Sequence, residues 1–184
     1  PQNLLDALAV VREPAAQGVL AICAGSIQSA REVQKVHPYR LDAFSSGEAG
    51  PLGWVEQGQA RWAGVRAPNE SAHPNAARAL ATPVENWPWV AVTHSHAGAD
   101  ARQVQALVSA GVKGLVVAGT GNGTVHKVFL AALLEAQIQG GAVRLCSRCA
   151  QGQIVGQPAA LQTAPAGLNP YKARISLMLD LLAT

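Results

Sequence analysis

The chain has 184 residues, of which 49% are apolar and 14% are charged, and its formal net charge is +3. This composition is typical of a globular α/β protein of one or two domains and excludes a disordered chain. The fourteen Lys and Arg residues are scattered rather than clustered, which argues against a nucleic-acid partner. The longest apolar runs, such as Gly114 to Gly119, are too short to cross a bilayer, so no membrane partner is expected.

The first 63 residues contain short elements separated by loops. A helix is predicted over residues 3–11 because its apolar residues recur at helical spacing, and Pro14 ends it; these residues are Leu4, Leu5, Leu8 and Val11. The run G-V-L-A-I-C at residues 18–23 predicts a buried parallel strand. A polar segment and a loop-rich region follow, and residues 54–62 predict a short hairpin.

Residues 64–88 differ from the sequence on either side. They are rich in Pro, Ala, Asn and Glu and show no periodicity, which predicts a linker between two domains. The chain is therefore divided into residues 1–63, the linker at 64–88, and a C-terminal α/β domain at 89–184.

Beyond the linker, strands and helices alternate. Strands are predicted at residues 90–93, 115–118 and 143–147, and helices at 101–110, at 124–139 and after Gly167-Leu168-Asn169-Pro170. This order predicts an α/β fold with a parallel, doubly wound sheet.

The strand at 115–118 leads directly into Gly119-Thr120-Gly121-Asn122-Gly123. Ligands of doubly wound sheets bind beyond the carboxyl ends of the strands, and glycines let the backbone approach a ligand closely. The spacing fits neither the dinucleotide fingerprint nor the phosphate-binding loop. An ordinary tight turn therefore remains an alternative interpretation of this segment alone.

Cysteines and histidines give no strong metal signal. Cys146 and Cys149 form a C-x-x-C pair, which could be a redox pair or half of a zinc site, but no second such pair occurs. His94 and His96 could be metal ligands, although a polar turn explains them better. Cys23 is expected to be a small buried apolar residue. We therefore predict no metal site.

Five stretches occur in an order that points to one family. They are P-Q-N-L-L-D-A at the start, R-x-V-x-K at 31–35, F-S-S-G-E-A-G-P-L-G-W-V at 44–55, V-V-A-G-T-G-N-G-T at 116–124, and L-N-P-Y-K-A-R at 168–174. Together they resemble the bacterial L-asparaginase family, whose members also act on glutamine. The resemblance implies a two-domain architecture in which 1–63 is the remainder of the N-terminal catalytic domain. The family's T-G-G-T-I and H-G-T-D-T motifs do not occur, so the N-terminal domain is expected to be incomplete.

The resemblance implies hydrolysis of L-asparagine, with L-glutamine as a further candidate substrate, to the acid and ammonia. The nucleophile would be a threonine that this chain lacks, so the 184 residues alone are predicted to be inactive. Lys35 matches a family lysine that helps to activate the threonine, because a hydroxyl needs a positioned base or cation to become nucleophilic. No cofactor is implied. A homotetramer built from two intimate dimers is implied, and the compartment, cytoplasmic or periplasmic, stays open.

Asn122 and Thr124 are the substrate-binding residues that the resemblance implies. In the family, this glycine loop reaches the substrate bound by the neighbouring subunit, and an amide can both donate to and accept from an amino acid. This chain departs from the family pattern because Thr124 stands where a second Asn is common. It also has no acidic residue between Gln151 and Gly167, where some members carry a glutamate.

Two other classes of function remain as alternatives. A non-catalytic amino-acid-binding or interaction module derived from the same fold would bind aspartate or asparagine without turnover. A nucleotide-binding domain would need the true glycine fingerprint and an acidic residue about 20 positions further on. Glu135 is too close to the loop to serve that purpose.

Overall fold

The computed structural model describes residues 1–64, 73–156 and 160–182. The chain divides into an N-terminal unit, Pro1–Ser71, and a C-terminal unit, Ala72–Thr184. Each unit has its own sheets. No helix among the described residues is long and apolar enough to cross a membrane.

The N-terminal unit is a helix followed by antiparallel strands. Helix α1 spans Gln2–Val11, and a four-stranded sheet has the order β1-β2-β5-β6. Its strands are β1 (Leu20–Cys23), β2 (Ser26–Ser29), β5 (Gly53–Glu56) and β6 (Gln59–Trp62), and a second ladder joins β3 (Gln34–Lys35) to β4 (Phe44–Ser45). The predicted hairpin at 54–62 is confirmed as β5 and β6.

The prediction of a buried parallel strand at 18–23 is wrong. The strand there, β1, is only partly buried and pairs antiparallel with β2. The reason lies in the two connecting residues, because Ala24 and Gly25 have φ values of 48° and 71°. Two consecutive positive φ values are typical of the tight turn that folds one strand back on the next. Cys23, at the end of β1, is accordingly half-buried rather than buried.

The predicted N-terminal helix is confirmed as α1, but its apolar residues do not form a core face. Val10 and Asp6 are its buried residues. The four residues whose spacing predicts the helix are exposed, by 45% to 73%: Leu4, Leu5, Leu8 and Val11. The helical spacing therefore predicts the helix correctly. It does not predict which side chains of the helix are buried by the other described residues.

The C-terminal unit alternates helices and parallel strands. Its elements are α2 (Ala76–Ala81), β7 (Val90–His94), α3 (Arg102–Ser109), β8 (Gly114–Gly119), α4 (Lys127–Ile138), β9 (Ala142–Ser147) and α5 (Pro170–Leu181). The sheet order is β7-β8-β9, and both pairings are parallel. The α/β fold with a parallel sheet is thereby confirmed for this unit.

Helices cover both faces of this sheet. Leu115 and Val117 of β8 pack on one face with residues of α3 and α4, whereas Val116 packs on the other face with Leu177 of α5. All six residues of β8 are buried. A strand that is buried on both faces needs a continuous apolar run, and this is why β8 could be identified from the sequence.

Part of the predicted linker carries structure of its own. Residues 65–72 lie outside the described residues, but 73–88 include α2 and a 3₁₀ turn at Val84–Asn86. His73 Nε2 lies 3.2 Å from Asp180 Oδ1, and Asn75 Nδ2 donates to the carbonyl of Leu179 at 2.9 Å. The residues that begin this unit are thus bonded to α5, while the assignment of 64–88 as a linker stays a prediction.

The start of α5 provides a test of the fold. The side chain of Asn169 accepts hydrogen bonds from the backbone N–H groups of Tyr171 and Lys172 at 3.1 and 3.0 Å, with Pro170 at the first helical position. We expect Asn169→Ala to lower the free energy of unfolding by about 1 kcal/mol, because two N–H groups lose their acceptor. Asn169→Asp keeps an acceptor and should stay near the parental value. Urea unfolding followed by circular dichroism measures both variants, and equal losses in the two would contradict this capping role.

Candidate functional site

The glycine loop begins where β8 ends, and its backbone folds back on itself. Thr120 and Thr124 exchange two backbone hydrogen bonds, at 2.9 and 2.8 Å. A Cβ on Gly119 would lie 2.9 Å from the carbonyl carbon of Gly123, closer than side chains normally approach backbone. Gly121 and Gly123 have φ values of 51° and 83°. Glycine is therefore required here by both space and conformation.

Residues that directly follow the two neighbouring strands are hydrogen-bonded to the residues at the two ends of the loop. Ser95, directly after β7, is buried, and its N–H donates to the carbonyl of Ala118 at 3.0 Å. Its hydroxyl accepts from the N–H of His126 at 3.0 Å. Arg148, directly after β9, donates its N–H to the carbonyl of Gly119 at 2.9 Å. The carboxyl ends of all three strands of this sheet are thus tied to one loop.

The helix after the loop begins later than predicted. The pattern predicts a helix from residue 124, whereas α4 begins at Lys127. Thr124 is held in the bridge to Thr120, and His126 has an extended backbone with ψ at 134°. The loop therefore takes up three more residues than the apolar spacing indicates.

Asn122 and Thr124 lie together in this loop, and both are exposed. The carboxamide of Asn122 donates to the carbonyl of Val155 at 2.9 Å and accepts from the N–H of Val155 at 2.7 Å. The hydroxyl of Ser147 donates to the carbonyl of Gly121 at 2.7 Å. Ser95, Ser147 and Val155 were not predicted as part of this site, because their local pattern shows no more than a serine at or directly after the end of a strand.

Lys35 lies in the N-terminal unit, on the two-residue strand β3, paired with Phe44 of β4. Its side chain is exposed, and its Nζ lies 5.9 Å from the centre of the Phe44 ring. A cation at this distance over an aromatic ring is weakly attracted to it. The partner of Lys35 among the described residues is therefore an aromatic ring rather than a carboxylate.

The three cysteines are free thiols. Cys146, on β9, is buried against α5, and burial raises its pKa to about 11. Cys149 is exposed, and its N–H donates to the hydroxyl of Ser147 at 3.0 Å. Within the described ranges, no group of three or more His, Cys, Asp or Glu side chains could hold a metal ion.

Two family models match the chain. Residues 1–67 match the family described as "Asparaginase, N-terminal", and residues 89–184 match the "Glutaminase/Asparaginase C-terminal domain". The L-asparaginase 2 of Escherichia coli (strain K12) is 31% identical over 192 residues, covering 100% of this chain and 54% of that protein. The glutaminase-asparaginase of Pseudomonas fluorescens biotype A is 32% identical over 190 residues, covering 99% and 51%.

A solved structure has the same fold. The crystal structure of a probable cytoplasmic L-asparaginase from Campylobacter jejuni matches with a TM-score of 0.85 and 32% identity, covering 100% of this chain and 60% of that one. Fold and loop thus define an α/β protein with a glycine loop beyond a parallel sheet. The family models identify it further: the chain belongs to the asparaginase/glutaminase family. It spans about half the length of the two relatives named above.

The two cysteines near the loop give a chemical test of burial. Alkylation requires the thiolate, and a pKa of about 11 leaves only ~0.1% of Cys146 ionised at pH 8. We expect iodoacetamide at pH 8 to modify the exposed Cys149 well before Cys146. Peptide mass mapping of timed samples measures this order. A sample unfolded in urea should lose the difference, and equal rates in the folded protein would contradict the burial of Cys146.

Proposed function

We propose that this chain is part of an asparaginase-type amidohydrolase that converts L-asparagine to L-aspartate and ammonia, with L-glutamine as a second candidate substrate. The observation that carries the proposal is the match of both family models, in order, to the two parts of the chain. The glycine loop supports it, because it provides an exposed amide and an exposed hydroxyl at the ligand-binding edge of a parallel sheet. The division into residues 1–63, 64–88 and 89–184 is part of this proposal.

The reaction needs a nucleophile that attacks the side-chain amide carbon. A threonine hydroxyl oxygen would add to that carbon, the carbon–nitrogen bond would break, and ammonia would leave with the proton of the hydroxyl. Water would then hydrolyse the resulting ester and release the acid. The family resemblance assigns this threonine to a motif that the 184 residues lack, so we propose that activity requires polypeptide beyond them.

Lys35 is the catalytic residue that we propose within this chain. Its ammonium group would stabilise the nucleophile as the hydroxyl loses its proton, because a nearby cation favours the developing negative charge. The backbone pairing of Lys35 with Phe44 supports this role by fixing the place of Lys35 on β3, and the ring of Phe44 attracts the exposed cation weakly.

Asn122 and Thr124 belong to the loop that we propose for substrate binding. The substrate carries an α-amino and an α-carboxylate group, which suit side chains that donate and accept hydrogen bonds. We propose that the loop serves the site of a neighbouring subunit in a homotetramer made of two intimate dimers. No cofactor enters the proposed reaction.

The experiment that tests this proposal combines intact mass spectrometry of the native sample with ammonia release from L-asparagine. We expect turnover only where a second species carrying a T-G-G-T segment accompanies this chain. A single 19.0 kDa species should release no ammonia. Turnover by that single species would contradict the assignment of the nucleophile, and binding of L-asparagine without turnover by the two-species sample would favour a non-catalytic module.

Substitution of the lysine tests its role in the active sample. We expect Lys35→Met to lower kcat at least about a hundredfold, since assistance to proton transfer contributes on that scale. The control is Arg12→Ala, which removes an exposed cation from the same unit and should leave the rate unchanged. Similar rates for Lys35→Met and Arg12→Ala would remove Lys35 from the mechanism.

A further inference from the structure

The carboxamide of Asn122 is bonded at both ends to one residue. Its Nδ2 donates to the carbonyl of Val155 at 2.9 Å, and its Oδ1 accepts from the N–H of Val155 at 2.7 Å. This pair of bonds imitates the exchange between two paired residues of an antiparallel sheet. The two residues are 33 positions apart in sequence. The orientation of the carboxamide is therefore set by the backbone of Val155.

Two further bonds join the same two segments. The hydroxyl of Ser147 donates to the carbonyl of Gly121 at 2.7 Å and accepts from the N–H of Cys149 at 3.0 Å. The N–H of Arg148 donates to the carbonyl of Gly119 at 2.9 Å. The glycine loop is thus fastened to residues 147–155 near its start, by Arg148 and Ser147, and at its tip, by Asn122.

Thr124 is placed differently. Its backbone N–H and carbonyl are bonded to Thr120, which fixes its position at the end of the loop. Its side chain is exposed, and the hydrogen bonds of Thr124 among the residues that the structure describes are made by its backbone. The loop carries three polar side chains. The hydroxyl of Thr120 donates to the carbonyl of Thr124 at 3.2 Å, and each end of the Asn122 amide has a partner. Thr124 therefore has the hydroxyl that is available to a ligand.

We propose that Asn122 is a positioning residue: it holds the glycine loop against residues 147–155 and so fixes the place of Thr124, which is already proposed to bind the substrate. This assignment rests on the proposed function for the identity of the substrate. The fastening itself does not depend on it, because the bonds of Asn122 are made within this chain. Weakening the partner of Asn122 should consequently act in the same direction as removing Asn122.

A double-mutant cycle on the 184-residue chain tests this coupling. Asn122→Ala removes both bonds, and Val155→Pro removes the N–H donor while Asn122 stays in place. The measurement is the exchange rate of the Thr124 amide hydrogen by NMR, which reports opening of the loop. We expect each variant to exchange about threefold to tenfold faster, on the scale of one or two modest hydrogen bonds. The double variant should be no faster than Asn122→Ala alone, since both changes break one interaction.

Matched controls separate the coupling from general damage. Val155→Ala keeps both backbone groups and shortens a side chain that is 76% exposed, so it should leave the exchange rate unchanged. Gln153→Ala alters an exposed residue of the same segment and should also be silent. If Val155→Pro unfolds the chain, Ser147→Ala provides an independent variant, because it removes the bond to Gly121 and should accelerate the same amide. Thr124 exchange that is unaffected by Asn122→Ala would overturn the proposal.

A second arm uses the active native sample and follows kcat/KM for L-asparagine. A positioning role predicts that Asn122→Ala lowers kcat/KM and that Val155→Pro, which breaks one of the two bonds, also lowers it, by a smaller factor. It also predicts that Thr124→Ala raises KM without accelerating exchange. A loss in Asn122→Ala with parental values in Val155→Pro would mean that Asn122 contacts the substrate directly, and would overturn the proposal. If a parental sample that contains the second species with the T-G-G-T segment releases no ammonia, the proposed function fails, while the exchange cycle still decides whether Asn122 fastens the loop.

Discussion

The C-terminal unit depends on one buried strand and on the way in which its chain leaves the core. Strand β8 is paired on both sides and covered on both faces, so its backbone bonds are made within the sheet and its side chains are apolar. Where β8 ends, the chain must reach the surface within a few residues. Gly119 and Gly123 allow this because their backbones approach to a distance that no side chain would permit. The position of Asn122 and Thr124 follows from that contact.

The N-terminal unit is built on a different principle. Its strands are short and antiparallel. In two of its hairpins, β1–β2 and β5–β6, a tight turn with two consecutive positive φ values joins the two strands. Such sheets bury one face and leave much of the other open. Lys35 sits on a strand of only two residues, where local pairing with Phe44 defines its place. The two proposed functional elements thus come from a rigid parallel core in one unit and from a small antiparallel ladder in the other.

Local patterns predicted the elements whose signal is local. The continuous apolar run of β8 predicted a strand, and the spacing of Val104, Leu107 and Val108 predicted helix α3. The predicted bounds of both elements lie within a residue or two of the observed ones. The direction of β1 was missed because Ala24 adopts a positive φ that alanine rarely takes, and no composition rule indicates it. The late start of α4 was missed because a backbone bridge holds Thr124 out of the helix. The bond between Asn122 and Val155 spans 33 positions, and no periodicity reports such a contact.

The hydrogen bonds of Asn122 to Val155 also affect the deamidation of its side chain. Asn122 is followed by Gly123, and an unhindered glycine backbone nitrogen can attack the side-chain carbonyl carbon of the preceding asparagine and expel ammonia. Water then hydrolyses the resulting cyclic imide to an acidic residue. That attack requires the carboxamide to rotate toward its own backbone. The bonds to Val155 hold the carboxamide in another direction, so the folded loop resists deamidation that the unfolded chain would undergo. Once the change occurs, a carboxylate faces the carbonyl of Val155 in place of a donor, and the tip of the loop loses half of its attachment. The rate of deamidation at Asn122 is therefore set by how often the loop opens.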